Sequence, residues 1–83
     1  MSKTIHRRET QLLIKLLWSY RVAAGVTQTQ LSAKLGRAQS FISDVERGQR
    51  RLDLVQLRDL CAVLGVPLGQ LVNDFEQAVD GPG

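Results

Sequence analysis

Hydrophobic residues along this chain recur at helical spacing and nowhere alternate with period two over a useful length. Leu13, Leu16, Leu17, Tyr20 and Ala24 share one face and predict a first helix over about 7–24. A second, over 28–35, carries Leu31 and Leu35 inward. It is announced by Thr27-Gln28-Thr29-Gln30, a capping box in which Thr27 caps and Gln30 reaches back. Ile42 and Val45 mark a short third helix over 39–47. Asp53 can cap a fourth over 54–64, whose Leu54, Leu57, Leu60, Cys61 and Leu64 form a continuous stripe. Pro67 suits the start of a fifth over 67–78, with Leu68, Leu71, Val72, Phe75 and Val79 inward. Gly25, Gly36, Gly48 and Gly65 each follow a periodic segment, where a left-handed residue ends a helix. The expected fold is all-α, a compact bundle of five short helices forming one domain over 1–79, with 80–83 a frayed tail.

A second apolar row, Ile14, Trp18 and Val22, is rotated off the core face of the first helix. Its cover is either the fifth helix or a second subunit. The fifth helix is the preferred expectation, because a domain with only 5% aromatic residues needs the area.

Composition narrows the class. With 43% hydrophobic and 23% charged residues in 83, the chain suits one small globular domain. Its single cysteine excludes an intrachain disulfide framework, and Cys61, mid-stripe with no cation placed beside it, reads as a small buried hydrophobe. The longest apolar stretch, Leu12 to Trp18, is interrupted by Lys15 and is far too short to span a bilayer. No signal peptide is visible, so a reducing cytoplasm is the expected compartment. No Ser/His/Asp or Cys/His set, metal cluster or phosphate-cradling glycine loop is present, so an enzyme is not expected. No metal, cofactor, small-molecule ligand or membrane partner is expected either.

Charge is unevenly placed. Residues 1–51 carry ten Lys/Arg against three acids, a balance of +7, and residues 52–83 carry one against five, a balance of −4. A basic half joined to an acidic half suggests a polyanion-facing surface on the first.

The segment TQTQLSAKLGRAQSFISDV, residues 27–45, holds a helix, a turn of about three residues containing Gly36, and a second helix. That is a helix-turn-helix arrangement, whose second helix can enter the major groove of DNA. Leu31, Leu35, Ile42 and Val45 can fix the angle between the helices, and Ser32 is small enough to let the backbones approach. Gln39, Ser40, Phe41, Ser43, Asp44 and Arg47 are left outward. Gln can bind adenine bidentately and Asp can accept from a cytosine amine, although a solvated helix face has the same composition.

Arg21, Gly25, Thr27-Gln28, Leu31, Lys34-Leu35-Gly36, Ser40, Ile42-Ser43, Glu46, Gly48 and Leu64-Gly65-Val66 together make residues 17–71 resemble the Cro/repressor-type helix-turn-helix domain, the XRE family of bacterial and phage regulators. The resemblance implies a lambda repressor-like fold and binding to double-stranded DNA. It places Gln39, Ser40 and Asp44 at base-reading positions, with Phe41 and Ser43 as further candidates. It places Gln28 on a phosphate at the start of the second helix, and Arg47, Arg50 and Arg51 on the backbone after the recognition helix. Arg37, in the turn, is a further phosphate candidate. Lys3, Arg7 and Arg8 form either an N-terminal arm on the backbone or a solvated terminus, and Lys15 and Arg58 read as solvated. The resemblance also sets Arg21 facing Glu46, a guanidinium–carboxylate pair that would hold the recognition helix against the scaffold.

Three positions depart from the family pattern. Ala38 stands where a capping Ser or Thr is usual, a difference of about 1 kcal/mol. Phe41 replaces a small or polar residue and is open to touching a thymine methyl, packing on the turn or meeting a partner. Asp44 puts a negative charge where relatives carry Arg, Lys or Gln, so it either reads a cytosine or contacts no base.

The resulting expectation is a sequence-specific transcriptional regulator, a repressor acting as a homodimer. Its interface would lie around the fifth helix with Trp18 as a candidate, and its two half-sites about 34 Å apart. The length leaves no room for a ligand-sensing domain, so control would come from concentration or a partner protein. A protein-interaction module such as an antitoxin is the alternative, disfavoured by the four residues after Val79.

Overall fold

The computed structural model describes residues 7–81. Among them are five α-helices and no strand: α1 (Arg8–Ala23), α2 (Gln28–Lys34), α3 (Phe41–Glu46), α4 (Leu54–Leu64) and α5 (Leu68–Asp80). Helix α4 has the expected bounds. Asp80, expected in a frayed tail, is the last residue of α5. The expected arm residue Lys3, and positions 82–83 of the tail, lie outside the described residues.

Four glycines stop four helices by the same device. Gly36 shows why glycine is needed: its φ is +68°, yet nothing lies within 4 Å of where a Cβ would stand. The dihedral rather than space excludes a side chain, at about 1–2 kcal/mol. Its N–H donates to the Ala33 carbonyl at 2.9 Å and that of Arg37 to Ser32 at 2.9 Å, closing α2 and turning the chain toward α3.

Capping is reciprocal where the sequence offers it. Thr27 Oγ1 accepts from Gln30 N at 3.0 Å while Gln30 Oε1 accepts from Thr27 N at 2.9 Å. Asp53 and Gln56 repeat the box on α4, at 2.8 and 2.9 Å. Helix α5 has no basic residue in its last turn. Arg8 of α1 supplies one, donating to the carbonyls of Val79 at 3.0 Å and Ala78 at 3.3 Å. Arg8 is thereby committed to the scaffold rather than to an N-terminal arm, and Arg7 pairs with Glu9.

Leu17, Leu31, Phe41, Ile42, Val45, Leu60, Cys61 and Leu71 form the core. Cys61 is fully buried, and burial pushes its thiol pKa up, so the thiolate is disfavoured. Two expected inward residues, Leu54 and Val72, are exposed at the margins of their stripes.

The expected cover of Trp18 by the fifth helix is not what the fold does: Trp18 is 46% exposed and Val22 is exposed beside it. Helix α5 docks on the Tyr20 side of α1, where Tyr20 Oη donates to Asp74 Oδ2 at 2.5 Å. Residues two apart on a helix point to nearly opposite sides, so an element docked beside Tyr20 cannot reach Trp18. Trp18 instead borders Glu46, Arg47 and Gly48. No single helix among the described residues is long and apolar enough to cross a membrane.

Candidate nucleic-acid interface

Helix α3 is six residues long and begins at Phe41, so Gln39 and Ser40, expected inside a helix over 39–47, stand in the turn before it. A helix this short cannot hold its own orientation. Two buried attachments fix it. From α2, Ser32 Oγ accepts the N–H of Ile42 at 3.0 Å, with Ser32 wholly buried. Ser40, at the N-cap, makes no side-chain capping bond. A serine ten positions upstream thus takes the role that Ala38 and Ser40 leave unfilled.

The second attachment is at the other end of α3. Arg21 Nε donates to Glu46 Oε2 at 2.7 Å and Nη2 to Oε1 at 3.1 Å, a two-bond fork. Side-chain exposure is 12% for Arg21 and 9% for Glu46, so the pair is largely shielded from water. Arg21 Nη1 also donates to the Val26 carbonyl at 2.9 Å, and Gln28 Nε2 donates to Glu46 Oε1 at 2.8 Å. One carboxylate therefore gathers α1, α2 and α3. Gln28, expected on a phosphate, has one amide proton committed to Glu46, leaving its second amide proton and its carbonyl oxygen for a ligand.

Around this frame, Gln28, Thr29, Ala38, Gln39, Ser40 and Ser43 line an open depression of about 490 Å³. Gln39 and Ser40 are exposed. Ser43 Oγ donates to the Ser40 carbonyl at 2.9 Å, which leaves its lone pairs free to accept. The wall is polar and small, and suits the edges of bases.

Two of the expected outward residues have partners within the fold. Phe41 is 7% exposed and belongs to the core, because it shares a helix face with Val45 four residues on, and the guanidinium carbons of Arg37 and Arg50 lie 4.5 and 5.0 Å from its ring centroid. Of the three roles open to it, packing on the turn is the one the fold gives it. Asp44 is ion-paired with Arg47 one turn on, so the carboxylate and a candidate phosphate ligand neutralise each other.

The structure thus sorts the basic residues. Arg21, Arg47 and Arg7 are paired with carboxylates and Arg8 with backbone carbonyls. Arg37, Arg50 and Arg51, like Lys15, Lys34 and Arg58, have no carboxylate partner among the described residues and are exposed. The i,i+3 spacing of Asp44 and Arg47 was readable in the sequence, whereas Ser32 as a cap and Gln28 as a partner of Glu46 carry no local signal.

Residues 15–75 match the family model described as "Helix-turn-helix domain". Over 57 residues the chain is 33% identical to the "Uncharacterized HTH-type transcriptional regulator y4dJ" of Sinorhizobium fredii (strain NBRC 101917 / NGR234), spanning 69% of this chain and 74% of that one. It is 31% identical over 52 residues to "Control protein C.MunI" of Mycoplasma sp, spanning 63% and 70%. The solved structure of an XRE-family like protein from Pseudomonas syringae pv. tomato str. DC3000 superposes with a TM-score of 0.83 at 43% identity, covering 95% of each chain. The clp gene regulator ClgR from Corynebacterium glutamicum shares the fold, with a TM-score of 0.75 at 22% identity over 87% of this chain and 77% of that one. With this helix pair, these relatives and this match, the chain belongs to the helix-turn-helix domain family, in its XRE form.

Proposed function

We propose that the chain is a sequence-specific transcriptional repressor that binds duplex DNA as a homodimer. One observation carries the reading: a small polar row, Gln39, Ser40 and Ser43, stands at the start of a helix anchored at both ends, with the carboxylate-free guanidiniums of Arg37 and Arg50 lining the adjoining depression and Arg51 next in the chain. Rigid presentation of short hydrogen-bonding side chains serves base edges, and unpaired guanidiniums serve phosphates. The relatives named as a transcriptional regulator and a control protein support the same class.

In this reading Gln39, Ser40 and Ser43 read bases, Gln28 holds a phosphate through its free amide proton, and Arg37, Arg50 and Arg51 bind the backbone. Asp44 holds Arg47, so Arg47 reaches a phosphate only when that pair opens. The protein works where DNA is, in the cytoplasm. Dimerisation doubles a contact set too small to be useful singly, through α5 and its exposed Val72 margin, and sets two half-sites about 34 Å apart.

The test is selection of bound fragments from genomic DNA by the purified chain, followed by light scattering with the selected duplex. A shared motif with two-fold symmetry and two chains per duplex is the expected result. Binding without any shared motif, or one chain per duplex, overturns it.

A further inference from the structure

Phe41 lies where the turn before α3 and the loop after it come together. Its ring is almost fully buried, yet the guanidinium of Arg37 lies 4.5 Å and that of Arg50 5.0 Å from the ring centroid. Each is a cation–π contact, in which the ring's negative face attracts the guanidinium. Since both cations lie within 5.0 Å of one centroid, they are no more than about 10 Å apart, roughly a Debye length at ordinary ionic strength, and repel each other. No carboxylate among the described residues pairs with either of them to relieve that repulsion. Asp44, which lines the same depression of about 300 Å³, is taken by Arg47.

Two cations gathered on one aromatic plate, with neither Asp44 nor Asp59 of the adjoining depressions ion-paired to them, are arranged for an anion from outside. A guanidinium held against a ring keeps its N–H edge available, and that edge matches phosphate oxygens bidentately. Stacking also restricts side chains that otherwise lose much rotamer freedom on binding. The two arginines come from different segments, one before α3 and one after it. The ring is the shared surface that brings them to one place.

We propose that Phe41 is a positioning residue that assembles Arg37 and Arg50 into a single two-armed clamp for a DNA phosphodiester. Phe41 touches no DNA itself; it sets where the backbone is gripped, beside the base-facing row. This rests on the DNA-binding reading and specifies how one part of that surface is built.

The experiment measures binding of the purified chain to its selected duplex by fluorescence anisotropy across a salt series. The variants are Phe41→Leu, Phe41→Tyr, the double Arg37→Lys/Arg50→Lys, and Arg37→Ala with and without Phe41→Leu, all assayed below their melting temperatures. Phe41→Leu is expected to weaken binding to all sequences about tenfold and to flatten the salt slope by about one to two units, although no charge has been removed. Phe41→Tyr keeps the ring and is expected to restore the slope. The double lysine variant keeps the charges and the core but not the planar stacking, and is expected to bind about tenfold more weakly. It reads the clamp even if Phe41→Leu does not fold. Arg37→Ala is expected to cost less when combined with Phe41→Leu than alone. A folded Phe41→Leu protein with wild-type affinity and slope, or a lysine pair that binds as well as the arginines, overturns the clamp and leaves DNA binding standing. Absence of salt-dependent duplex binding by the wild-type chain overturns both.

Discussion

Removing the Glu46 carboxylate is the most informative perturbation of this fold. Glu46→Ala takes away the acceptor of three hydrogen bonds, at 2.7 and 3.1 Å from Arg21 and 2.8 Å from Gln28. Arg21 keeps only the Val26 carbonyl at 2.9 Å and, at 12% side-chain exposure, cannot be rehydrated in place. Stranding a shielded charge costs about 3–5 kcal/mol. A domain of this length has about 4–12 kcal/mol in all, at 0.05–0.15 kcal/mol per residue. The melting temperature of so small a domain moves by about 4–8 °C per kcal/mol, so the expected drop is at least about 12 °C. Arg21→Ala strands the carboxylate and is expected to fall similarly. The double variant strands neither charge and is expected to lose little more than either single. Circular-dichroism melts of the three variants and wild type form the cycle, and Glu46→Gln, which keeps an acceptor and the shape, is expected to be intermediate. Strictly additive losses, or single losses below about 1 kcal/mol as for an exposed pair, refute the reasoning.

Ser32→Ala leaves the buried Ile42 N–H without an acceptor, for about 1–3 kcal/mol, and should lower the melting temperature by at least about 4 °C. A melt unchanged from wild type shows that the bond does not anchor α3. Burial, and then the hydrogen bond to Asp74, hold the Tyr20 hydroxyl well above its ordinary pKa of 10.0. A raised folded-state pKa stabilises the fold fully below the unfolded value and loses that stabilisation as pH rises beyond it, so stability should fall from about pH 10 upward. Tyr20 is the single tyrosine, so ultraviolet titration reads it directly, and phenolate absorbance at the pH of a free tyrosine while the protein stays folded contradicts this. Asp44→Ala frees Arg47 and removes a charge that repels phosphate, so affinity for every duplex should rise. A loss confined to one C·G position instead shows Asp44 reading cytosine.

Local chemistry was legible in the sequence wherever the cause lay within about four residues. Apolar spacing marked five helices, Thr27 with Gln30 announced α2, and glycines after α1 to α4 marked their ends, since left-handed dihedrals are cheap only there. The same pattern places Gln56 three residues after Asp53, as a capping box requires. The Arg21 and Glu46 fork came from resemblance, not spacing. Tertiary structure alone decided what depends on the relative placement of helices. Ser32 is an ordinary helical serine until α3 arrives with an N–H to satisfy. Gln28 is a surface amide until Glu46 is brought over it, and Arg8 a terminal charge until α5 ends beside it. Phe41 was expected outward although it stands one turn before Val45, on the same face of a helix; only the packing of α3 onto the core decided that this face includes its ring. Trp18 shows the same limit from the other side: periodicity said which row it belongs to, and only the docking of α5 beside Tyr20 decided that Trp18 and Val22 are left exposed.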